Sequence, residues 1–209
     1  MSPHLDKVQK FSSYPQTIPE LNHYKFKKLA VVGTPCQIYT MRCMQSLGVK
    51  PSQNFEVCLG LFCYENFLFD PLKIKKFERD FNIKFKDIEK INIKEDLIFK
   101  LKDKGIGEKV IHIPFNQLTE YMRPACRACN DFTNIYADIS FGGLGSADKY
   151  TTVITRTVKG HKIITEALNA NVIRSLDLSE TEKVKMKTYI TQYSQLKVKR
   201  FETFMKDLK

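Results

Sequence analysis

The sequence has 209 residues and a net charge of +11, with 43% hydrophobic and 27% charged residues. That composition is ordinary for a soluble globular chain, and no apolar run reaches the roughly 18 residues that a membrane-spanning helix needs. The opening stretch MSPHLDKVQKFSSYPQ lacks the apolar centre of a secretory signal, so the expected address is cytoplasmic, where the six cysteines point to metal or catalysis rather than to disulfides.

Residues 1–27 are polar and punctuated by proline, and form an N-terminal extension. KKLAVVGTPCQ then reads as a short buried strand over Leu29–Val32, a turn at Gly33-Thr34-Pro35, and a helix from about Cys36 through Met44. A second apolar strand, Phe55–Phe62, ends at Cys63, and an amphipathic helix follows over Pro71–Phe81. From 88 to 115 polar and apolar residues alternate in three short runs, punctuated by Lys104-Gly105-Ile106-Gly107, which predicts an antiparallel hairpin or meander. Thr151–Thr157 is β-branched and predicts a strand, His161–Ala170 a helix, and Val172–Leu176 a short strand. Ser179-Glu-Thr-Glu offers an N-cap for a helical tail that runs to Lys209. The expected fold is α/β (α+β): a mixed sheet with flanking helices, a β-hairpin or meander insertion, and a helical C-terminal tail. The expected division is 1–27, 28–178 and 179–209.

Cys126-Arg-Ala-Cys129 is a C-x2-C pair, whose tight turn lets two thiolates converge on one metal centre. Cys36 follows the first strand and Cys63 ends the second. If these strands are parallel neighbours, both thiols lie on one edge of the sheet, where α/β proteins build their sites. Four thiolates satisfy a 4Fe-4S cluster. A structural zinc site more often pairs C-x2-C with another C-x2-C, so the pattern tilts toward iron–sulfur while leaving zinc open. A thioredoxin-type dithiol fits poorly, because the pair follows Arg123-Pro124-Ala125 rather than a strand. Cys43 and Cys58 read as small buried hydrophobes. His4, His23, His112 and His161 are isolated, and no Ser/His/Asp or Cys/His set is apparent.

Ala137–Ser146 reads as a short strand running into a glycine-rich loop. Gly142, Gly143 and Gly145 permit positive φ and a close backbone approach to a ligand, and exposed N–H groups with Ser146 suit a phosphate or a flavin edge. A tight turn between strands is the structural alternative. The basic charge is compatible with an anionic partner, but interleaved Glu and Asp make much of it an ordinary solvated face. Nucleic-acid binding is not expected, because the aromatics mark no basic strand or helix face.

GTPCQ at 33–37, GLFCYENF at 60–67, RPACRACNDFTNIYADISFGGLGS at 123–146 and TTVITRTVKG at 151–160 occur in fixed order. Together they resemble the coenzyme F420 hydrogenase/dehydrogenase β-subunit family. The resemblance implies a 4Fe-4S cluster held by Cys36, Cys63, Cys126 and Cys129, with FAD beside it. Thr34, Gln37, Gly142, Gly143, Gly145 and Ser146 become flavin-site candidates. It further implies an oxidoreductase subunit that moves electrons between cluster, FAD and coenzyme F420 or a similar acceptor. Its expected partner is a hydrogenase, a formate dehydrogenase or another redox subunit. Alternatives are a cluster-only relay or scaffold and a zinc-stabilised nucleic-acid module. Members usually begin with a lobe carrying a Gly-Gly-x-x-Thr-like motif. That lobe is missing before GTPCQ here; if it helps to bind flavin or F420, activity needs a partner chain that supplies it, or has been lost.

Overall fold

Apolar runs bounded by glycine and proline set the strands, and capped amphipathic runs set the helices. The structure is a computed structural model that describes residues 28–50, 52–93, 96–102, 109–147 and 149–208. In chain order the elements are β1 (Leu29–Gly33), α1 (Pro35–Ser46), β2 (Phe55–Leu61), α2 (Pro71–Phe81), β3 (Ile88–Ile93), β4 (Asp96–Leu101), β5 (Val110–Pro114), α3 (Pro124–Arg127), β6 (Ile139–Gly142), β7 (Thr152–Thr155), α4 (Val158–Asn169) and α5 (Glu180–Asp207). They fall into two compact units. One holds Glu65–Arg127, and the other holds the described residues up to Tyr64 together with those from Ala128 onward.

The second of these units is built on a four-stranded sheet in the order β1-β2-β6-β7. β2 runs parallel to both β1 and β6, whereas β7 is antiparallel to β6. The sheet is therefore mixed, as expected. Pro35 starts α1, where its missing N–H costs nothing, and the Gln37 side chain accepts from the Thr34 amide at 2.9 Å. Ile38 of α1 packs with Val31, Cys58 and Ala137, and Met41 packs with Leu29, Val31 and Phe55. α4 begins where Thr157 Oγ1 accepts from the Gly160 amide at 3.1 Å. Gly160 is required there, because a Cβ would lie 2.2 Å from the Asp138 carbonyl oxygen. Ser179 is the expected N-cap of α5, a 28-residue helix, and forms a capping box with Glu182. Met186, Ile190 and Tyr193 of α5 pack with Phe62, Tyr64, Phe132 and Leu144.

The Glu65–Arg127 unit holds the expected meander as an antiparallel sheet in the order β3-β4-β5. Leu97 and Phe99 of β4 point inward and join Phe77, Ile83, Ile113, Leu118 and Tyr121 in one core. Asp70 caps α2 by accepting from the Leu72 and Lys73 amides, and Asn82 ends that helix in the left-handed region at φ 52°.

One expected strand is not formed. Val172–Leu176 is irregular. α4 ends at Asn169, Asn171 turns the chain at φ 53°, and Val172 is 76% exposed. β-branched composition without a neighbouring strand or a core to enter does not make a strand. The extension 1–27, with His4 and His23, and the punctuation at 104–107 lie outside the described residues. No described helix is long and apolar enough to cross a membrane.

Candidate cysteine and glycine-loop site

Because β1 and β2 run parallel, with Gly33 opposite Gly60, their C-terminal ends share one edge of the sheet. Asn134 ties those ends together. Its Nδ2 donates to the Gly33 carbonyl at 2.9 Å and lies 3.4 Å from that of Leu61. Asn134 is fully buried, sits at φ 63°, and its Oδ1 has no hydrogen-bond partner among the described residues. The turn that presents it is made by Asp131, whose carboxylate accepts from the Asn134 and Ile135 amides at 2.8 and 2.9 Å. Gly60 makes room for it, since a Cβ would fall 2.5 Å from the Asn134 side chain.

The segments bearing Cys63 and Cys129 meet on this scaffold. The Cys63 amide donates to the Phe132 carbonyl at 2.9 Å, and the Cys129 thiol lies 3.8 Å from the Asp131 carbonyl. Lys197 of α5 joins the two segments directly. Its Nζ donates to the Cys63 carbonyl at 2.6 Å and to the Asp131 carbonyl at 2.7 Å, and the residue is 1% exposed. Arg200, one turn further, donates to the Tyr64 carbonyl at 2.8 Å and stacks over the Tyr64 ring at 4.9 Å. Phe62 and Tyr64, the neighbours of Cys63 in sequence, pack with Phe132 and Tyr193 in one aromatic cluster, with ring centroids 5.4–6.2 Å apart.

Cys36 is exposed in the first turn of α1, with its thiol 3.3 Å from Thr34 Oγ1. Cys126 belongs to the Glu65–Arg127 unit, on α3, where its amide donates to the Arg123 carbonyl at 2.9 Å. None of the six cysteines is joined in a disulfide. Among the described residues, no three Cys, His, Asp or Glu side chains are already gathered as a set that would hold a metal ion. Cys58 is fully buried between α1 and the sheet, and burial pushes its thiol up, the behaviour of an inert packing residue. His112 lies on β5, with its Nδ1 3.7 Å from Asp96.

The three glycines of the 142–145 loop have different reasons to be there. A Cβ on Gly142 would run into the Phe62 ring at 1.9 Å, whereas one on Gly143 would meet nothing within 4 Å among the described residues. Only Gly145 takes positive φ, at 83°, and a Cβ there would press on Met186 at 2.7 Å. Gly142 and Gly143 do not use the positive φ that glycine permits; Gly142 is explained by its packing against Phe62. The Ser146 hydroxyl lies 3.1 Å from the Gly143 carbonyl and 2.9 Å from that of Tyr150. Gln37 caps its own helix, and Thr34 Oγ1 donates to Gln37 Oε1 at 3.1 Å.

Behind the site lies a carboxylate that pattern reading passed over. Asp138 Oδ2 accepts from the Cys58 amide at 2.8 Å and from Arg42 Nη2 at 2.9 Å, while Oδ1 accepts from the Thr157 hydroxyl at 2.9 Å. Burial pushes this carboxyl up, but the Cys58 amide, the Thr157 hydroxyl and Arg42 outweigh burial and hold it below its ordinary value. Asn134 and Asp131 left a faint trace in the sequence, the Asp-x-x-Asn spacing of a side-chain-stabilised turn. Lys197 left none, being one lysine among many in the tail. In the Glu65–Arg127 unit an open hollow of about 420 Å³ is lined by Lys76, Asp80, Glu120 and Tyr121. Those groups pair with one another: Tyr121 donates to Asp80 at 2.7 Å, Lys76 sits 3.0 Å from Glu120, and burial with the Asp80 bond pushes the Tyr121 hydroxyl up to about 12.

Comparison with known proteins gives this scaffold its relatives. A solved chain of the F420-reducing nickel–iron hydrogenase complex from Methanosarcina barkeri has the same fold, with a TM-score of 0.66 at 24% identity, over 87% of this chain and 61% of that one. An uncharacterized protein of Methanocaldococcus jannaschii is 34% identical over 167 residues, covering 76% of this chain and 60% of its own length. The coenzyme F420 hydrogenase subunit beta of Methanococcus voltae is 27% identical, covering 78% of this chain and 57% of its own. The chain thus spans about three fifths of the length of these relatives. The family described as the C terminus of the coenzyme F420 hydrogenase/dehydrogenase beta subunit matches residues 26–181, and the chain belongs to that family.

Proposed function

We propose that this chain is the electron-transfer portion of an F420-linked oxidoreductase subunit, with a 4Fe-4S cluster ligated by Cys36, Cys63, Cys126 and Cys129 and FAD bound near Gly142–Ser146. Family membership supports the F420-linked redox role. The observation that supports the cluster is the junction of the Cys63 and Cys129 segments under a buried ammonium. Cysteine thiolates suit a soft metal centre, and the aromatic rings on the segments flanking Cys63 would lower the local dielectric there. The bound cofactors would supply single-electron exchange and the collection of two electrons for hydride chemistry. The chain's own part is to hold the thiolates, exclude water with Phe62, Tyr64 and Phe132, and leave open space at Gly143 for a ligand edge. The acceptor would be coenzyme F420, and the remainder of the site would come from a redox partner.

A second reading, a cluster-only relay, is favoured by one observation. The Thr34 hydroxyl lies against Gln37 Oε1 and the Cys36 thiol, and the Ser146 hydroxyl against the Gly143 and Tyr150 carbonyls. Anaerobic reconstitution with iron and sulfide, followed by FAD titration and an F420 reduction assay with the partner chain, separates the two. Cluster plus FAD supports the first reading, and cluster without FAD under any condition supports the relay. A colourless, zinc-loaded protein would remove both.

A further inference from the structure

Lys197 does not behave as a tail lysine. It is 1% exposed, it lies beyond the region that the family match covers, and its two hydrogen bonds both go to backbone carbonyls, those of Cys63 and Asp131. Among the described residues it forms no ion pair. A buried ammonium bonded only to carbonyls is costly unless a counter-charge lies nearby. The backbone it grips belongs to one expected thiolate and to the turn that follows another.

We propose that Lys197 is a positioning residue of the cysteine site. Its ammonium clamps the Cys63 and Asp131 segments together from behind and places a fixed positive charge beside the thiolates. This rests on the cluster reading above. A cluster with four thiolate ligands is anionic and gains a further negative charge on reduction. A nearby cation therefore favours the reduced form and raises the midpoint potential. Arg200 reinforces the clamp through the Tyr64 carbonyl, so α5 holds two successive residues of the Cys63 loop.

The test compares Lys197→Met, which keeps most of the apolar stem and loses the charge, with Lys199→Met on the exposed side of the same helix. Three quantities are read on the full chain: iron and sulfide per chain after anaerobic reconstitution, the midpoint potential by EPR-monitored titration, and amide hydrogen exchange at residues 62–64 and 131–133. Lys197→Met is expected to retain less iron, to titrate at a lower potential, and to exchange at those amides roughly tenfold faster or more, the factor that a lost charge-assisted hydrogen bond implies. Lys199→Met should match wild type in all three. An unchanged potential with a merely lower melting temperature would overturn the proposal, because a purely structural lysine gives that result. If wild type itself takes up no iron, the cluster reading falls separately, and the clamp is judged on exchange alone: faster exchange supports it, equal exchange overturns it. Should Lys197→Met fail to fold, Lys197→Gln, which keeps one donor group, is measured in the same three ways.

Discussion

Asp138 joins three elements through one carboxylate, which makes Asp138→Ala the most informative structural perturbation. Its removal leaves the buried Cys58 amide without an acceptor, takes the counter-charge from Arg42, whose guanidinium still donates to the Tyr136 carbonyl and Gln45, and takes the Thr157 hydroxyl bond from the start of α4. A buried amide left unpaired costs about 1–3 kcal/mol. A charge-assisted bond adds about 1.5–3 kcal/mol, reduced here because the Arg42 side chain is 30% exposed. The expected loss is therefore about 3–5 kcal/mol, in the range measured when one partner of a buried pair is removed. For a chain of this size that lowers the melting temperature by on the order of 10 °C. The sign of the pH dependence follows from the direction of the shift. The folded carboxyl titrates below the unfolded value of about 3.9, so its contribution is complete above that value and is lost as pH falls through the folded one. Asp138→Asn, unable to ionise, should flatten the acid limb of a urea-midpoint profile between about pH 5 and 2. A loss below about 1 kcal/mol for Asp138→Ala, or an acid limb as steep in Asp138→Asn as in wild type, would refute this account of the junction.

Other expectations concern the glycine loop and the second core. Gly142→Ala should destabilise by about 1–3 kcal/mol in denaturant titrations, because its methyl must displace the Phe62 ring, while Gly143→Ala should stay within about 0.5 kcal/mol of wild type. Any effect of Gly143→Val on FAD affinity is then a ligand effect, read by flavin fluorescence titration against unchanged circular dichroism. Phe77→Ala should cost about 3–5 kcal/mol, since that ring packs with Phe69, Phe81, Phe85, Phe99 and Tyr121, and should melt the Glu65–Arg127 unit.

Much of the fold was legible. The apolar runs at 29–32 and 55–62, the Pro-led helices and the alternation over 88–115 carry local signals strong enough to survive packing. The miss at Val172–Leu176 shows the limit of composition, because those residues lacked a neighbouring strand. The glycine loop was readable as a loop but not in its reasons: the contacts of Gly142 with Phe62 and of Gly145 with Met186 are tertiary. The C-x2-C pair and the two strand-end cysteines were visible as a chemical pattern. What holds them was not. Asp138, Asn134 and Lys197 act across 96, 101 and 134 residues of sequence, and a lone polar residue announces no such reach.

The central claim is that four particular cysteines hold iron, and iron and sulfide content after anaerobic reconstitution addresses it directly. Wild type, Cys43→Ser and Cys58→Ser should each bind close to four irons per chain with the broad visible absorption of a 4Fe-4S centre. Serine at Cys36, Cys63, Cys126 or Cys129 should deplete both. Full iron in those four variants, or loss of iron only on replacing the buried Cys58, would contradict the account.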